Sequence, residues 1–317
     1  MSKTITFHDH HPQIQSLKSA VIAGLSKPNK SIPPKYFYDE RGSKLFAEIC
    51  EQPEYYPPNI ERALLSKITE EIFHLTGTDR LIIEPGAGSA TKIRILLDPL
   101  KPSAYLPMDI SCEYLRSSAA EIADDFPWLP VHAVCVDFTH SIPLPDTAPK
   151  GHRMAFFPGS SIGNFTPHEA RSFLEMVRQT LSPGGLLLIG VDTKKPADIL
   201  NAAYNDTAGI TAAFNLNLLH RIRDEVKADC NPENFEHLAF YNQTLGRIEM
   251  HLISRCRQTL HLSDYQFQLE EGESIHTENS YKYTPDEFID LATQAGLQPV
   301  QHWLDDQKLF ALYLLQA

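Results

Sequence analysis

The chain has 317 residues, 42% of them hydrophobic and 21% charged, and its apolar runs are short. None approaches the roughly 18 apolar residues that span a bilayer, and the opening MSKTITFHDHHPQ lacks the apolar core of a secretory signal, so neither a membrane segment nor export is expected. Twenty-eight Lys and Arg stand against 40 Asp and Glu, a formal charge of −12, which argues against a nucleic-acid backbone as partner because that needs clustered basic residues.

Ile14, Leu17, Val21 and Leu25 recur at three- and four-residue steps and predict a first amphipathic helix, which Pro28, Pro33 and Pro34 end. ERGSKLFAEIC (40–50) reads as a second short helix, PEYYPP (53–58) as a rigid turn, and 59–76 as a long helix. From there strands and helices alternate: RLIIE (80–84), a helix at 89–98, YLPMDIS (105–111), a helix at 112–124, and VHAVCVDF (131–138). RMAFFPG (153–159), the helix PHEARSFLEMVRQTL, the break SPGG and the strand LLLIGVD (186–192) continue the pattern. Such alternation specifies βαβ units and a parallel sheet. Unbroken apolar strands such as LLLIGV suit a sheet covered on both faces.

The alternation stops near 195. A helical stretch, PADILNAAYNDTAGITAAFNLNLLHRI, is followed by RIEMHLISRCRQTL and YQFQLEEG, which alternate like antiparallel strands. YTPDEFIDLATQAG (283–296) is a helix, and VQHWLDD with KLFALYLLQ forms a closing hairpin. The expected organisation is a parallel α/β core over 60–196 and 283–317, with a smaller α+β lobe assembled from 1–59 and 197–282.

Five cysteines (Cys50, Cys112, Cys135, Cys230 and Cys256) are an odd, scattered set without a CxxC pair. They read as reduced thiols of a cytoplasmic protein rather than a disulfide scaffold or a zinc site. His8, His10 and His11 invite a metal reading, but they lie at a terminus without an element to fix ligand geometry. No metal is expected.

The stretch IIEPGAGSATK (82–92) holds the strongest chemical signal that spacing alone provides. After a strand, a Gly-x-Gly turn brings the backbone close to a nucleotide-bearing cofactor. Gly86 and Gly88 fit that pattern; the third glycine of the dinucleotide fingerprint is replaced by Thr91. Asp109 follows at the end of the next strand, where a carboxylate can accept both ribose hydroxyls. Asp137 and Phe138 close the third strand, an acid for the adenine amine and a ring for its face. Lys92 is placed to meet a cofactor carboxylate, or is simply a solvated helix lysine. NAD and S-adenosylmethionine share the adenosine that these residues suit; the Asp137–Phe138 pair favours S-adenosylmethionine, and SPGG followed by an apolar strand resembles the entry to the fifth strand of S-adenosylmethionine-dependent methyltransferases.

SIPPKYFYDERGSKLFAEICEQPEYYPPNIE (31–61), IIEPGAGSATKIRILL, PMDIS, VCVDF, FFPGSSIGNFTP, AYNDTAGITAAFN, RIEMHL and TENSYKY resemble, in order, segments of the histidine Nα-methyltransferases of ergothioneine biosynthesis. The likeness spans nearly the whole chain. It implies a class I methyltransferase (Rossmann-like) core with a substrate-binding lobe, and three methyl transfers from S-adenosylmethionine to the α-amine of L-histidine, giving hercynine. Matched motif by motif, the cofactor residues are Gly86, Lys92, Asp109, Asp137 and Phe138, and the substrate residues are Tyr55, Asn164, Tyr204, Glu278 and Ser280.

Several of these have plainer readings. By residue type alone Asn164 reads first as a turn former, Tyr204 and Met250 as core, and Glu278 with Ser280 as a polar strand edge. Two residues apart, however, Glu278 and Ser280 share one face of a strand, and a carboxylate beside a hydroxyl can bind an imidazole. Asn279 between them should point away. Asn164 and Tyr204 offer neutral donors to a substrate carboxylate, Met250 and Tyr38 can line the ring pocket, and Tyr38 is the candidate for positioning the amine. Tyr38, Phe46 and Tyr55 can also hold a methylated ammonium by cation–π attraction. Other readings are an N-methyltransferase of another aromatic amine such as tryptophan, a non-catalytic S-adenosylmethionine-binding protein, and a nicotinamide oxidoreductase. The partner expected is a small amino acid; a monomer is compatible with the sequence.

Overall fold

The computed structural model describes residues 5–10 and 16–317, which leaves His11 and Ile14 outside the described residues. In chain order the first half forms β1 (Ile5–Asp9), α1 (Leu17–Leu25), α2 (Glu40–Cys50), α3 (Pro57–Thr76), β2 (Leu81–Pro85), α4 (Arg94–Leu100), β3 (Ala104–Asp109), α5 (Cys112–Asp125), β4 (Val131–Cys135), β5 (Arg153–Phe157) and α6 (Pro167–Leu181). The second half forms β6 (Leu186–Asp192), α7 (Ala197–Ala203), α8 (Ile210–Asp224), β7 (Phe235–Asn242), β8 (Arg247–Ser254), β9 (Gln258–Leu262), β10 (Tyr265–Leu269), β11 (Ser274–Tyr281), α9 (Pro285–Gln294), β12 (Gln298–Leu304) and β13 (Phe310–Gln316).

Apart from Asp109 and Arg153, every residue of β2 to β6 is buried. That accounts for apolar runs without alternation: no face of these strands meets water. They belong to an eight-stranded sheet in the order β1-β4-β3-β2-β5-β6-β13-β12. β1 to β6 pair in parallel, and the hairpin of β12 and β13 adds two antiparallel strands beside β6. The chain steps outward from β2 to β3 and β4, then returns to the other side of β2 for β5. The strand order reverses there, and in open α/β sheets ligands bind at the carboxyl ends of strands at such a point. The Gly-x-Gly turn leaves β2 at that end.

The chain divides into two compact units. The first contains this sheet, from Pro57–Thr193 and Tyr283–Ala317 with β1. Its core joins α3, α4 and α5 to the sheet through Leu65, Ile72, Ile93, Leu97, Leu115 and Ile122. Two of its helices are announced by their caps. Thr166 before α6 and Thr284 before α9 each accept an N–H from a Glu three residues on, which reaches back to the cap, and Pro follows each Thr.

The second unit takes Lys194–Lys282 with the segment up to Tyr56. A three-stranded antiparallel sheet, β11-β8-β7, and the β9–β10 hairpin share a core with α1, α2, α7 and α8 built on Val21, Phe37, Phe214, Leu219, Ile248 and Leu252.

The structure corrects several expectations. Ile5–Asp9 pairs with β4 at the edge of the large sheet instead of joining the second lobe; its half-exposed pattern is that of an edge strand and gives little periodic signal. α4 begins at Arg94 rather than 89, because Gly86, Gly88 and Ala90 all have positive φ and carry the loop further before the helix can start. The long helical stretch after 196 breaks into α7 and α8 where the Asp206 carboxylate accepts from Ile210 and Thr211 N–H groups, both at 2.7 Å. β7 was not anticipated. Cys112 and Cys135, expected as thiols, form a disulfide across a Cα separation of 5.2 Å. Cys112 opens the helix after β3 and Cys135 ends β4, the neighbour of β3, so the sheet unites residues that lie 23 apart in sequence. Among the described residues no helix is long and apolar enough to cross a membrane.

Candidate active site

The first unit gathers the residues expected around adenosine at the carboxyl ends of β2, β3 and β4. Gly86 adopts φ +70°, and a Cβ there would lie 3.2 Å from the Phe138 ring; a side chain would have to displace that ring while holding a left-handed backbone. Gly88, at φ +52°, borders open space where a cofactor can approach. Its N–H donates to Asp109 Oδ2 at 3.1 Å, and Ser111 N–H donates to Oδ1 at 2.9 Å. These bonds tie the turn to the end of β3 and aim the carboxylate, which keeps acceptor capacity for a hydroxyl donor. Burial raises the Asp109 pKa, and the N–H groups of Ser111, Gly88 and Ile110 work against that shift.

Phe138 packs edge-on to Phe157 and Phe173, with ring centroids 6.1 and 6.3 Å apart. Asp137 accepts from Thr139 N–H at 3.1 Å and from its hydroxyl. Lys92 makes an ion pair with Glu61, a fully buried residue of α3, and both Glu61 oxygens lie 3.0 Å from the Gly159 N–H. The Lys92 ammonium is therefore anchored within the protein, with further N–H groups to offer. Glu61 escaped the sequence reading. Its signal was there: a carboxylate one turn before Leu64 and Leu65, on the face that α3 buries. Glu84, the acid before the glycines, accepts a hydrogen bond from the Tyr105 hydroxyl, and burial pushes its pKa up to about 8. Asn164 closes a short 3-10 turn, Ser161–Asn164, after β5.

In the second unit the aromatic residues of the N-terminal signature converge. Tyr38 lies 5.7 Å from Phe46, Phe46 lies 6.4 Å from Tyr55, and Tyr55 lies 6.0 Å from Tyr204, all edge-on. Burial raises the Tyr55 pKa well above that of a free phenol, with Tyr204 next in effect, so Tyr55 stays a neutral donor. Glu278 on β11 stands opposite Met250 on β8, and both are buried. Burial pushes the Glu278 pKa up to about 7, against the pull of Lys282. Ser280 shares its face, while Asn279 turns away, its Oδ1 accepting from His276 Nε2 at 2.9 Å. The Tyr204 hydroxyl donates to Ser280 Oγ at 2.8 Å, although its proton was expected to serve a substrate carboxylate. Lys282, unremarked in the sequence, is 2% exposed, and its Nζ lies 2.8 Å from the same oxygen.

Two groups of potential metal ligands occur among the described residues. One comprises Asp9 with the disulfide cysteines, whose sulfurs are not thiolates. The other is Glu249, His251 and His276, where the Glu249 carboxylate already accepts from Arg247 at 2.8 Å and Asn242 at 3.0 Å.

Residues 17–317 match a family described as "Histidine-specific methyltransferase, SAM-dependent". The chain is 38% identical over 307 residues to the histidine N-alpha-methyltransferase of Mycolicibacterium smegmatis, covering 95% of this chain and 94% of that one. It is 36% identical to the protein of the same name from Mycobacterium tuberculosis, covering 94% of each. At 27% identity it is similar to the 4-dimethylallyltryptophan N-methyltransferase easF of Epichloe festucae var. lolii, covering 95% of both.

Proposed function

The chain belongs to the family of histidine-specific, S-adenosylmethionine-dependent methyltransferases, and from that premise we propose that it transfers three methyl groups in succession to the α-amine of L-histidine. The product is Nα,Nα,Nα-trimethylhistidine, hercynine, as in ergothioneine biosynthesis. One observation carries the choice of histidine: a carboxylate and a hydroxyl, Glu278 and Ser280, buried on one strand face opposite Met250. An indole offers the carboxylate an N–H but has no ring nitrogen to accept from the Ser280 hydroxyl, whereas a neutral imidazole presents an N–H to Glu278 and a bare nitrogen to Ser280.

The glycine turn and Asp109 fit a nucleoside: open space beside Gly88, and a carboxylate oriented by two backbone N–H groups. In this reading Asp109 accepts from the ribose hydroxyls, Asp137 and Phe138 take the adenine edge and face, and Lys92 donates to the carboxylate of the amino-acid part. Bound S-adenosylmethionine supplies an electrophilic methyl group on a sulfonium, whose loss leaves a neutral thioether. The protein's task is therefore alignment more than acid catalysis, and near-attack placement is worth roughly 7–11 kcal/mol. Glu278 and Ser280 anchor the imidazole beside Met250, with the Tyr204 hydroxyl held on Ser280 Oγ. Tyr38 positions the amine. Tyr38, Phe46 and Tyr55 offer ring faces to the ammonium that each transfer leaves, an attraction of about 0.5–2 kcal/mol per ring.

Mass spectrometry of a reaction with S-adenosylmethionine and histidine tests the proposal. The expected product is heavier by three methylene units, preceded by mono- and dimethylated forms; absence of any methylated histidine overturns it. The similarity to a tryptophan-derivative N-methyltransferase supports a second reading, and a panel of aromatic amino acids at equal concentration separates the two.

A further inference from the structure

Lys282 is among the few charged residues buried in the second unit, and it sits on the strand face that the proposed substrate ring would meet. Glu278, Ser280 and Lys282 follow one another at two-residue steps, so their side chains leave the chain on one side. The Lys282 ammonium donates to Ser280 Oγ at 2.8 Å and lies 3.3 Å from the Tyr204 hydroxyl, which also donates to Ser280 at 2.8 Å. A serine hydroxyl has two lone pairs and one proton. Both lone pairs are engaged, so what Ser280 has left to offer is the proton. The two donors are not equivalent. Tyr204 can rotate its proton elsewhere, but an ammonium has no acceptor capacity and cannot reverse the sense of its bond.

We propose that Lys282 is a positioning residue for the histidine ring: by donating to Ser280 it directs the Ser280 proton to the bare ring nitrogen while Glu278 accepts from the other, N–H-bearing nitrogen, so that neutral imidazole is bound in a single tautomer. This rests on the histidine reading above. The same ammonium favours the ionised form of Glu278, so one buried cation fixes both halves of the pair, acceptor on one side and donor on the other. A histidinium ring, with two N–H groups, would meet the Ser280 proton head-on and be refused.

The test is a double-mutant cycle on the full chain with Lys282→Met, Ser280→Ala and the combined variant, together with Lys282→Arg. Histidine Kd is measured by calorimetry with S-adenosylhomocysteine present, alongside steady-state KM and kcat. Lys282→Met should raise histidine Kd and KM at least about tenfold, the scale of one lost hydrogen bond, with kcat changing much less. The affinity for S-adenosylhomocysteine should stay at the wild-type value. Lys282→Arg, also a pure donor, should restore most of the histidine affinity. Ser280→Ala should lose about as much as Lys282→Met, and the double variant little more than either, because both remove one directed proton. Additive losses in the double variant, or wild-type histidine affinity in Lys282→Met, overturn the inference. Should Lys282→Met fail to fold, a wild-type affinity in Ser280→Ala, or no recovery in a folded Lys282→Arg, overturns it equally. A wild type that neither binds nor methylates histidine overturns the proposed function itself, whereas a wild type that does so beside an unaffected Lys282→Met overturns the role of Lys282 alone.

Discussion

At Glu278 burial and charge pull in opposite directions. Desolvation disfavours the carboxylate, Lys282 favours it, and the balance leaves a pKa near about 7. The consequence is a pH dependence of recognition. A protonated carboxyl loses its charge and most of its strength as an acceptor, so histidine affinity should fall as pH drops through 7 and level off above it. Glu278→Gln, which cannot ionise, should flatten that part of the profile; calorimetric Kd values between pH 6 and 8.5 check this, and an unaltered slope in the variant rejects Glu278 as its source. Glu278→Ala should weaken histidine by about 10- to 150-fold, the roughly 1.5–3 kcal/mol of a hydrogen bond to a charged group. S-adenosylhomocysteine binding should not change. An unaltered histidine Kd would reject the imidazole assignment. The Glu278–Ser280 pair was legible because strand geometry turns a spacing of two into one face. Lys282 was not, although it continues that spacing: a lysine carries no sequence mark of burial, and residues of its type are rarely buried without partners. Its donation reaches Ser280 two residues away, but the Tyr204 hydroxyl that fills the other lone pair comes from the end of α7, 76 residues away in sequence.

Among the elements, those with a strong period or a cap were readable, and the edge strands β1 and β7 were not. α2 was read to its residue limits, since Asp39 accepts from Gly42 N–H at its start, and the Thr-Pro-x-Glu motifs mark α6 and α9. β1 and β7 gave weaker signals, because their burial alternates only in part and their partners lie far along the chain. The disulfide between α5 and β4 shows the same limit. Two cysteines 23 residues apart look unrelated until β3 and β4 are placed side by side. Once formed, the bridge closes a loop that contains all of α5, and a loop of that size stabilises the fold by about 3 kcal/mol through the unfolded chain. Urea unfolding with and without a phosphine reductant should show a lower midpoint for the reduced protein. Cys112→Ser should match the reduced wild type and be insensitive to reductant; equal midpoints in all three would place those sulfurs outside the stabilising framework.

Across the molecule, charges that the sequence scatters are collected around the switch point of the large sheet. Glu61 comes from α3, Glu84 from β2, Lys92 from the segment before α4 and Asp109 from β3, and one cation is close enough to influence Glu84 in the presence of the other two acids. A site able to favour a cationic sulfonium gains from such an acidic surplus, but the folded state bears its consequence. Glu84 is raised from 4.5 to about 8 by burial, and the Tyr105 bond and Lys92 offset only part of that. The folded protein therefore holds a proton that the unfolded chain releases from about pH 4.5 upward. Unfolding then sheds a proton between those limits, so stability declines as pH rises from about 4.5 to about 8 and becomes insensitive to this group above that. Glu84→Gln keeps an acceptor for the Tyr105 hydroxyl and removes the titration. Its melting temperature should fall less than that of the wild type between pH 5 and pH 8.5, with the variant gaining on the wild type at the alkaline end. If thermal melts across that range give parallel curves for the two proteins, Glu84 is ionised throughout, and the acidic surplus at the switch point is compensated by the protein more fully than its burial indicates.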